Sequence, residues 1–131
     1  VQEGIKEGLN INLEKIKKTP NTVLSHLLIL QSKNQNLQNE IKEKLFKYYF
    51  EDGIDIGDEN VIEKLKKEIP KIKFNLKELN SEKLKNEIIA KSTIAKTLGI
   101  NGVPFFQFNK GYLSGAQPVE NLEIAIKDNL V

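Results

Sequence analysis

Leucine and isoleucine recur at helical spacing through most of the chain and then give way to a short aromatic stretch. Four segments between Pro20 and Gly99 carry apolar stripes. Their members are the leucine-rich run Val23–Gln31; then Leu37, Ile41, Leu45, Tyr48 and Tyr49; then Val61, Ile62, Leu65 and Ile69; and last Leu84, Ile88, Ala95 and Leu98. A spacing of three to four residues places each set on one face of an α-helix, so the pattern predicts four helices.

Helix limits are indicated by capping residues and by residues that stop a helix. Asn36 and Asp58 precede the second and third stripes and can cap those helices, because a short polar side chain accepts free backbone N–H groups. Pro70 ends the third helix, and Gly99 can end the fourth. Before the first helix, residues 9–13 alternate apolar and polar positions, which predicts a short strand or extended segment with one buried face.

The last third of the chain has the composition of a β-hairpin followed by a helix. Three phenylalanines between positions 105 and 108 follow Pro104, and residues 109–111 predict a turn before a return strand at 112–114. Pro118 suits the first position of a last helix. The predicted buried stripe of this helix is Val119, Leu122, Ile126 and Leu130. Because a lone hairpin is marginal in water, we expect another strand, from an upstream segment or another chain, at its open edge.

Composition narrows the possible functions. The 131 residues fit one domain, and 20 basic against 18 acidic side chains leave a net charge of +2, too small to indicate nucleic acid or an anionic membrane as partner. No apolar run approaches the roughly 18 residues that a membrane span needs. The chain contains no cysteine, so these residues cannot supply a thiolate, a disulfide or a thiolate metal site. It also lacks methionine and begins at Val1, and we therefore expect a fragment or a processed product.

Two polar features of the sequence are candidates for a metal or ligand site. Asp52, Asp55 and Asp58 are spaced by three, whereas an EF-hand loop needs oxygen ligands at alternate positions, so the acidic segment is interpreted as a loop and a helix cap. His26 is the only histidine. On a leucine-rich helix it is either a core or boundary residue or a side chain that faces a site. No metal site is predicted.

Five short motifs follow one another along the whole chain. They are Pro20-Asn21-Thr22 with His26; Leu45-Phe46 with Tyr49-Phe50; Gly53-x-Asp55-Ile56; Gly99-Ile100-x-Gly102-Val103-Pro104-Phe105-Phe106; and Ser114-Gly115-Ala116-Gln117-Pro118. In this order they resemble the FrnE-type branch of the DsbA-like thioredoxin-fold proteins. The resemblance implies an α/β, thioredoxin-like fold with an inserted α-helical domain. It divides the chain into a linker with a short extended segment (1–19), the inserted helical domain (20–98), and the C-terminal hairpin and helix (99–131).

The resemblance also implies a function, that of a thiol–disulfide oxidoreductase. The strand–helix–strand part that carries the catalytic CxxC would lie upstream of Val1, so no catalytic residue is expected in this chain, which alone should be inactive. Pro104 would be the cis-proline facing the CxxC, and the peptide group before it would pair with the substrate backbone as an added strand. The implied substrate-binding residues are Gly102, Val103, Pro104, Ala116, Gln117 and His26. The substrate would be a protein or small-molecule thiol or disulfide, in the cytoplasm.

Two other functions stay open. A mostly helical chain with an open hairpin edge can serve as a non-catalytic module that binds a peptide or forms a homodimer. Alternatively, the backbone N–H groups before the last helix can hold an anion, as in the glutathione-dependent isomerases and transferases of the kappa-like branch, and glutathione is then the only cofactor expected. Those relatives tend to carry Ser-Asp where this chain has Ala116-Gln117, and plain helix capping explains the same residues.

Overall fold

The structure, a computed structural model, describes residues 1–129, and the chain divides into two units. The first unit is Val1–Ile89, and the second runs from Ala90 to the end of the chain. The division falls within a helix rather than in a loop. The predicted domain limits of 1–19, 20–98 and 99–131 stay a prediction, because the compactness of a unit does not define the domains of a family.

Helices predominate in the described residues, and one hairpin is their only sheet. The helices are α1 (Gln2–Lys6), α2 (Val23–Gln31), α3 (Gln38–Phe50), α4 (Asn60–Glu68), α5 (Leu76–Leu79), α6 (Glu82–Thr97) and α7 (Val119–Asn129); the strands are β1 (Phe105–Phe108) and β2 (Gly111–Ser114). The four predicted helices, the hairpin and the last helix are thus confirmed. None of the helices in this part of the chain is long and apolar enough to cross a membrane.

A hydrophobic core of thirteen buried side chains holds the first unit together. Its members are Leu27, Leu28, Leu37, Ile41, Leu45, Tyr48, Ile56, Val61, Ile62, Leu65, Ile69, Ile72 and Leu79. These residues come from α2, α3, α4 and α5 and from the segments between them, so the predicted stripes of the first three long helices are confirmed. Leu84 and Ile88 of α6 are partly buried against the same core. Burial of apolar surface from several elements is the main stabilising contribution here.

The alternating segment at residues 9–13 does not form a strand. Residues 9–12 have no regular structure, and Leu13 begins a 3₁₀ turn (Leu13–Lys15). Only Ile11 and Asn12 of this segment are half-buried, while Leu9 and Leu13 are 50% exposed. The Asn12 N–H donates to the Phe50 carbonyl at 2.7 Å. The strand interpretation is therefore wrong, because a strand needs a neighbouring ladder and this segment meets the end of a helix instead.

The predicted caps have mixed outcomes. Asp58 Oδ1 accepts a hydrogen bond from the Asn60 N–H at 2.8 Å just before α4, although Glu59, which makes no side-chain bond, stands at the N-cap itself. Asn36 does not cap α3. It lies in the left-handed region (φ 56°) after a 3₁₀ turn at Lys33–Gln35, and Leu37 stands at the N-cap without a side-chain bond. Asparagine tolerates this conformation better than most residues, which explains its presence at a turn rather than at a cap.

Two glutamines hold an irregular segment that follows α4. Gln35 accepts from the Lys73 N–H (2.9 Å) and donates to the Lys73 carbonyl (2.8 Å). Gln31 makes the same pair of bonds with Asn75, at 2.9 and 3.0 Å. Alternate residues of an extended chain face the same side. The two amide side chains therefore occupy the place that a neighbouring strand would have.

The second unit contains the hairpin and α7. The register pairs Phe105 with Ser114 and Phe108 with Gly111, which leaves a two-residue turn rather than the predicted three. The rings of Phe105 and Tyr112 stack with their centroids 5.1 Å apart. At the turn, the Lys110 N–H donates to Asn129 Oδ1 at 2.9 Å, which ties the C-terminal end of α7 to the hairpin.

The apolar side chains of the second unit are less buried than the sequence predicts. Val119 and Ile126 are 66% and 48% exposed, Leu122 is half-buried, and Leu130 lies outside the described residues. The three phenylalanines of β1 are half-buried. No residue between positions 90 and 129 is buried. A two-stranded hairpin with one helix has too few layers to enclose side chains, and this is the physical reason for the error.

Candidate functional site

The segment that leads into Pro104 begins at a well-formed helix end. Gly99 has φ +82°, its N–H donates to the Lys96 carbonyl at 3.0 Å, and the Ile100 N–H donates to the Ala95 carbonyl at 3.0 Å. These two bonds are those of a Schellman motif, in which a left-handed glycine closes the helix. The predicted stop at Gly99 is confirmed, and it sets the direction in which the chain leaves α6.

Val103 and Pro104 stand at the entrance of β1 and are open to solvent. The peptide bond between them is cis, and the Val103 side chain is 90% exposed. Gly102 is exposed, and no atom lies within 4 Å of the position that a Cβ would take there. Within the described residues this corner therefore has open space beside its backbone, as a site for an extended partner requires.

The turn between β2 and α7 meets the same corner. Gly115, with φ +80°, donates its N–H to the Pro104 carbonyl at 2.9 Å. This bond continues the antiparallel ladder by one step, and Pro104 has no N–H with which to return it. The structure thus brings together two of the sequence motifs, the one that contains Pro104 and the one that runs from Ser114 to Pro118.

Ala116 and Gln117 differ in their surroundings. Ala116 is exposed, whereas Gln117 is half-buried. Gln117 Nε2 donates to the Ser114 carbonyl at 2.8 Å, and its Oε1 accepts from Asn121 Nδ2 at 3.2 Å. Its amide is therefore engaged within the unit. Glu120 places a carboxylate in the first turn of α7, where its charge would oppose the binding of an anion.

His26 belongs to the first unit, and the other five predicted binding residues belong to the second. His26 lies on α2 between Ser25 and Leu27, which are both buried, but its own side chain is exposed. The core interpretation of this histidine is thus wrong, because the core-facing positions of α2 are those of Ser25, Leu27 and Leu28. Its role in binding stays a prediction.

The acidic segment after α3 makes contacts within the first unit. Asp55 forms an ion pair with Lys18 at 2.6 Å and accepts the Gly57 N–H at 3.0 Å. The hydrogen bond from Lys18 lowers the pKa of the Asp55 carboxyl below its ordinary value. A Cβ on Gly57 would lie 2.6 Å from the Asn21 carbonyl oxygen. The motifs around Asn21 and Asp55 thus contact each other closely. Within residues 1–129, no group of His, Asp and Glu side chains could hold a metal ion.

Sequence reasoning missed a groove on the first unit. It has a volume of about 720 Å³ and lies between the segment around Leu9 and Ile11 and the face of α3 that carries Phe46 and Phe50. Phe46 is 52% exposed and Phe50 is 37% exposed. The one available signal was that these aromatics lie off the stripe that α3 buries. Such a groove can take apolar groups, but its charged rim residues are paired within the chain, as Lys47 with Asp52 and Lys44 with Glu68.

A family model described as the DSBA-like thioredoxin domain matches residues 2–127. No curated protein matches the sequence significantly. The family match spans both units and includes every residue proposed for the site. The DsbA-like part of the resemblance is thus confirmed, and the family indicates thiol–disulfide oxidoreductases. The chain belongs to the DSBA-like thioredoxin domain family.

Proposed function

We propose that the chain supplies the substrate-binding side of a FrnE-type thiol–disulfide oxidoreductase, whose catalytic CxxC lies upstream of Val1. In this proposal the helices between residues 20 and 98 form the domain that the family inserts, and residues 99–131 complete the thioredoxin-like part. The observation that carries the proposal is the corner at Pro104. An exposed backbone at the start of a strand is held there by the Gly115 N–H, with open space beside Gly102.

The shape of this corner supports recognition of an extended peptide. A peptide that adds as a strand takes its hydrogen bonds from main-chain groups, so it can be bound without regard to its side chains. An enzyme that acts on many thiol substrates needs such recognition. The exposed Val103 peptide group lies where the chain enters β1. An extended substrate would pair with this peptide group as an added strand. Gly102 would keep the approach free of a side chain.

The reaction would then proceed by thiol–disulfide exchange. The upstream thiolate attacks one sulfur of the substrate disulfide, and the other substrate sulfur leaves as a thiolate. The second cysteine of the CxxC displaces the bound substrate sulfur, so the enzyme ends as a disulfide and the substrate as a dithiol. Two electrons pass to the substrate in this direction and return in the reverse one. The residues of this chain hold the substrate while these bonds exchange.

The coding sequence upstream of Val1 gives the first test. We expect a strand followed by a CxxC, or a Ser- or Cys-containing variant of it, at a helix N-terminus. A polypeptide that includes this segment should reduce insulin with dithiothreitol as reductant, and the 131-residue chain should not. An upstream region without such a motif, or turnover by the 131-residue chain alone, would contradict the proposal.

A second candidate is a non-catalytic interaction module. It is favoured by the exposed apolar side chains of α7, Val119 and Ile126, which can pack against another copy of the chain. It requires a stable oligomer of the 131-residue chain, and light scattering at micromolar concentration measures this directly. A monomer would remove the candidate. The kappa-like glutathione alternative has no comparable support, since the Gln117 amide is already engaged.

A further inference from the structure

We infer that Gln117, supported by Asn121, is a positioning residue for the Pro104 corner rather than a ligand-binding residue. The inference has a structural half and a catalytic half. The structural half rests on the hydrogen bonds alone, and the catalytic half rests on the proposed function. It concerns a chain of contacts within the second unit that leads from the first turn of α7 to the Pro104 carbonyl.

The central element is the single peptide group between Ser114 and Gly115. Its carbonyl accepts from Gln117 Nε2 at 2.8 Å. Its N–H donates to the Pro104 carbonyl at 2.9 Å. A trans peptide group points its C=O and N–H in opposite directions, so these two bonds hold the same plane from both sides. The Gln117 bond therefore orients the N–H that holds Pro104.

The strand register explains why this peptide group needs a side chain. Since the Gly115 N–H bonds to the residue before Phe105, the pair Phe105 and Ser114 is a non-hydrogen-bonded pair of the ladder. The Ser114 carbonyl then points away from β1, towards the outer edge of β2. Without Gln117 that carbonyl would be left to water. With Gln117 the edge is covered at this position, and the bonded peptide group is also polarised, which strengthens its N–H as a donor.

Asn121 completes the arrangement from inside α7. Its Nδ2 donates to Gln117 Oε1 at 3.2 Å, which leaves Gln117 Nε2 to face the Ser114 carbonyl. The backbone N–H groups of Asn121 and Leu122 both bond to the Pro118 carbonyl, so Asn121 is itself held in the first turn of the helix. The consequence is a defined direction for the Pro104 carbonyl, and hence for the Val103 peptide group next to it.

The chain offers a matched control at the other end of the same hairpin. Gln107 Nε2 donates to the carbonyls of Phe108 and Gly111 at 3.0 and 3.3 Å. It is thus a glutamine with backbone contacts in the same unit, but at the turn rather than at the Pro104 corner. Gln107→Leu should disturb the hairpin locally without reorienting the Ser114–Gly115 peptide group.

Amide hydrogen exchange of Gly115, followed by NMR on the 131-residue chain, tests the structural half. Gln117→Leu should accelerate this exchange by about fivefold, the effect of one net hydrogen bond. Asn121→Ala should have a smaller effect and should add nothing in the Gln117→Leu background, since Asn121 acts through Gln117. Equal Gly115 exchange in Gln117→Leu and Gln107→Leu would overturn the inference, whatever the fate of the proposed function.

Steady-state kinetics of the polypeptide that includes the upstream segment test the catalytic half. Insulin serves as the peptide substrate, and 5,5′-dithiobis(2-nitrobenzoic acid) as a disulfide without a peptide backbone. Gln117→Leu should raise KM for insulin about threefold to tenfold and leave kcat and the small disulfide almost unchanged. Equal losses on both substrates, or none on either, would overturn the positioning role. If the wild-type polypeptide turns over neither disulfide, the proposed function fails, and the exchange result still decides the structural half.

Discussion

The two units of the chain make different use of similar sequence patterns. In the first unit the stripes of α2, α3 and α4 meet one another, and side chains such as Leu28, Ile41 and Leu65 have no exposed surface. In the second unit α7 carries a stripe of the same spacing, yet Val119 and Ile126 are largely exposed. The difference lies in the number of layers: several helices enclose a core, whereas a hairpin and one helix have two open sides.

This comparison draws attention to the apolar side chains that are uncovered in the described part of the second unit. Its exposed large hydrophobic side chains are Ile94, Leu98, Val103, Tyr112, Val119, Ile124 and Ile126. A hairpin in water also needs additional strands or a packed helix for stability. In the proposed oxidoreductase the upstream strands would supply these contacts. The first unit has its own core, and its stability should depend less on any added segment.

The largest expected effect separates the two units by one substitution in each. Ile41→Ala removes a side chain with no exposed surface and should lower the free energy of unfolding by about 2–5 kcal/mol, because it leaves a cavity. Leu98→Ala, at a site 71% exposed, should change it by less than about 0.5 kcal/mol. Urea denaturation followed by circular dichroism measures both. A comparable loss for Leu98→Ala would mean that the second unit is packed as tightly as the first.

Glycines with positive φ give the next comparison. Gly53→Ala should cost about 2–3 kcal/mol, since φ is +70° and the new Cβ would lie 2.5 Å from the Lys15 carbonyl oxygen. Gly99→Ala has a similar φ, +82°, but open space, and should cost only about 1 kcal/mol. Thermal unfolding of the two variants compares them. Equal costs would show that backbone conformation alone, and not close packing in the first unit, decides the effect.

Two glutamines sharpen the comparison further. Gln35→Ala removes both bonds to Lys73, residues 38 positions apart in sequence, and should lower the free energy of unfolding by about 1 kcal/mol. Gln107→Ala removes contacts with near neighbours in the exposed hairpin and should change it by less than about 0.5 kcal/mol. Chemical denaturation of the two variants provides the measurement. The reverse order would mean that the segment at residues 73–75 is held by other contacts.

The smallest expected effect depends on pH. The pKa of Glu68 falls from its ordinary 4.5 to about 2, mainly through the hydrogen bond with Lys44 and further through Lys64. Because the folded-state pKa lies below the unfolded one, this stabilisation is present above pH 4.5 and is lost as the pH falls towards about 2. We expect this ion pair to contribute less than about 1 kcal/mol to the free energy of unfolding, since its side chains are partly solvated.

The free energy of unfolding measured between pH 2 and pH 6 checks this expectation. Glu68→Gln should flatten part of the acid dependence. Glu123→Gln serves as the control, because Glu123 forms an exposed pair with Lys127 in the second unit. If the two variants alter the pH profile equally, the Lys44–Glu68 contact contributes no more to stability than an exposed ion pair.

Local features of the fold were predictable because they depend on neighbours in sequence. The stop at Gly99 and the bond from the Asn60 N–H to Asp58 follow from residues within one turn of the feature itself. The strand predicted from the alternation at residues 9–13 was wrong, because a strand forms only beside a partner strand that supplies a ladder of hydrogen bonds. The end of α3 supplies a single carbonyl. The helix cap predicted at Asn36 was also wrong, since asparagine suits both a cap and a left-handed turn.

The candidate site shows the same division. The motifs around Pro104 and Gln117 could be recognised from the sequence as resembling the family. The contact between Gly115 and Pro104, and the engagement of Gln117 by Ser114 and Asn121, could not be read from the motifs. The first contact depends on the hairpin register, which places Gly115 opposite Pro104. The second joins residues only three and four positions apart, but the motif does not specify which polar groups these side chains bond.

By itself the sequence determined which faces of the long helices are apolar, where α4 and α6 end, and that the chain resembles the DsbA-like proteins. Only the tertiary structure decided which apolar faces are covered, that Phe46 and Phe50 line a groove, and that the Gly115 N–H meets the Pro104 carbonyl. The physical reason is that helix periodicity arises from bonds between near neighbours, whereas burial and pairing between strands require partners that folding brings from elsewhere in the chain.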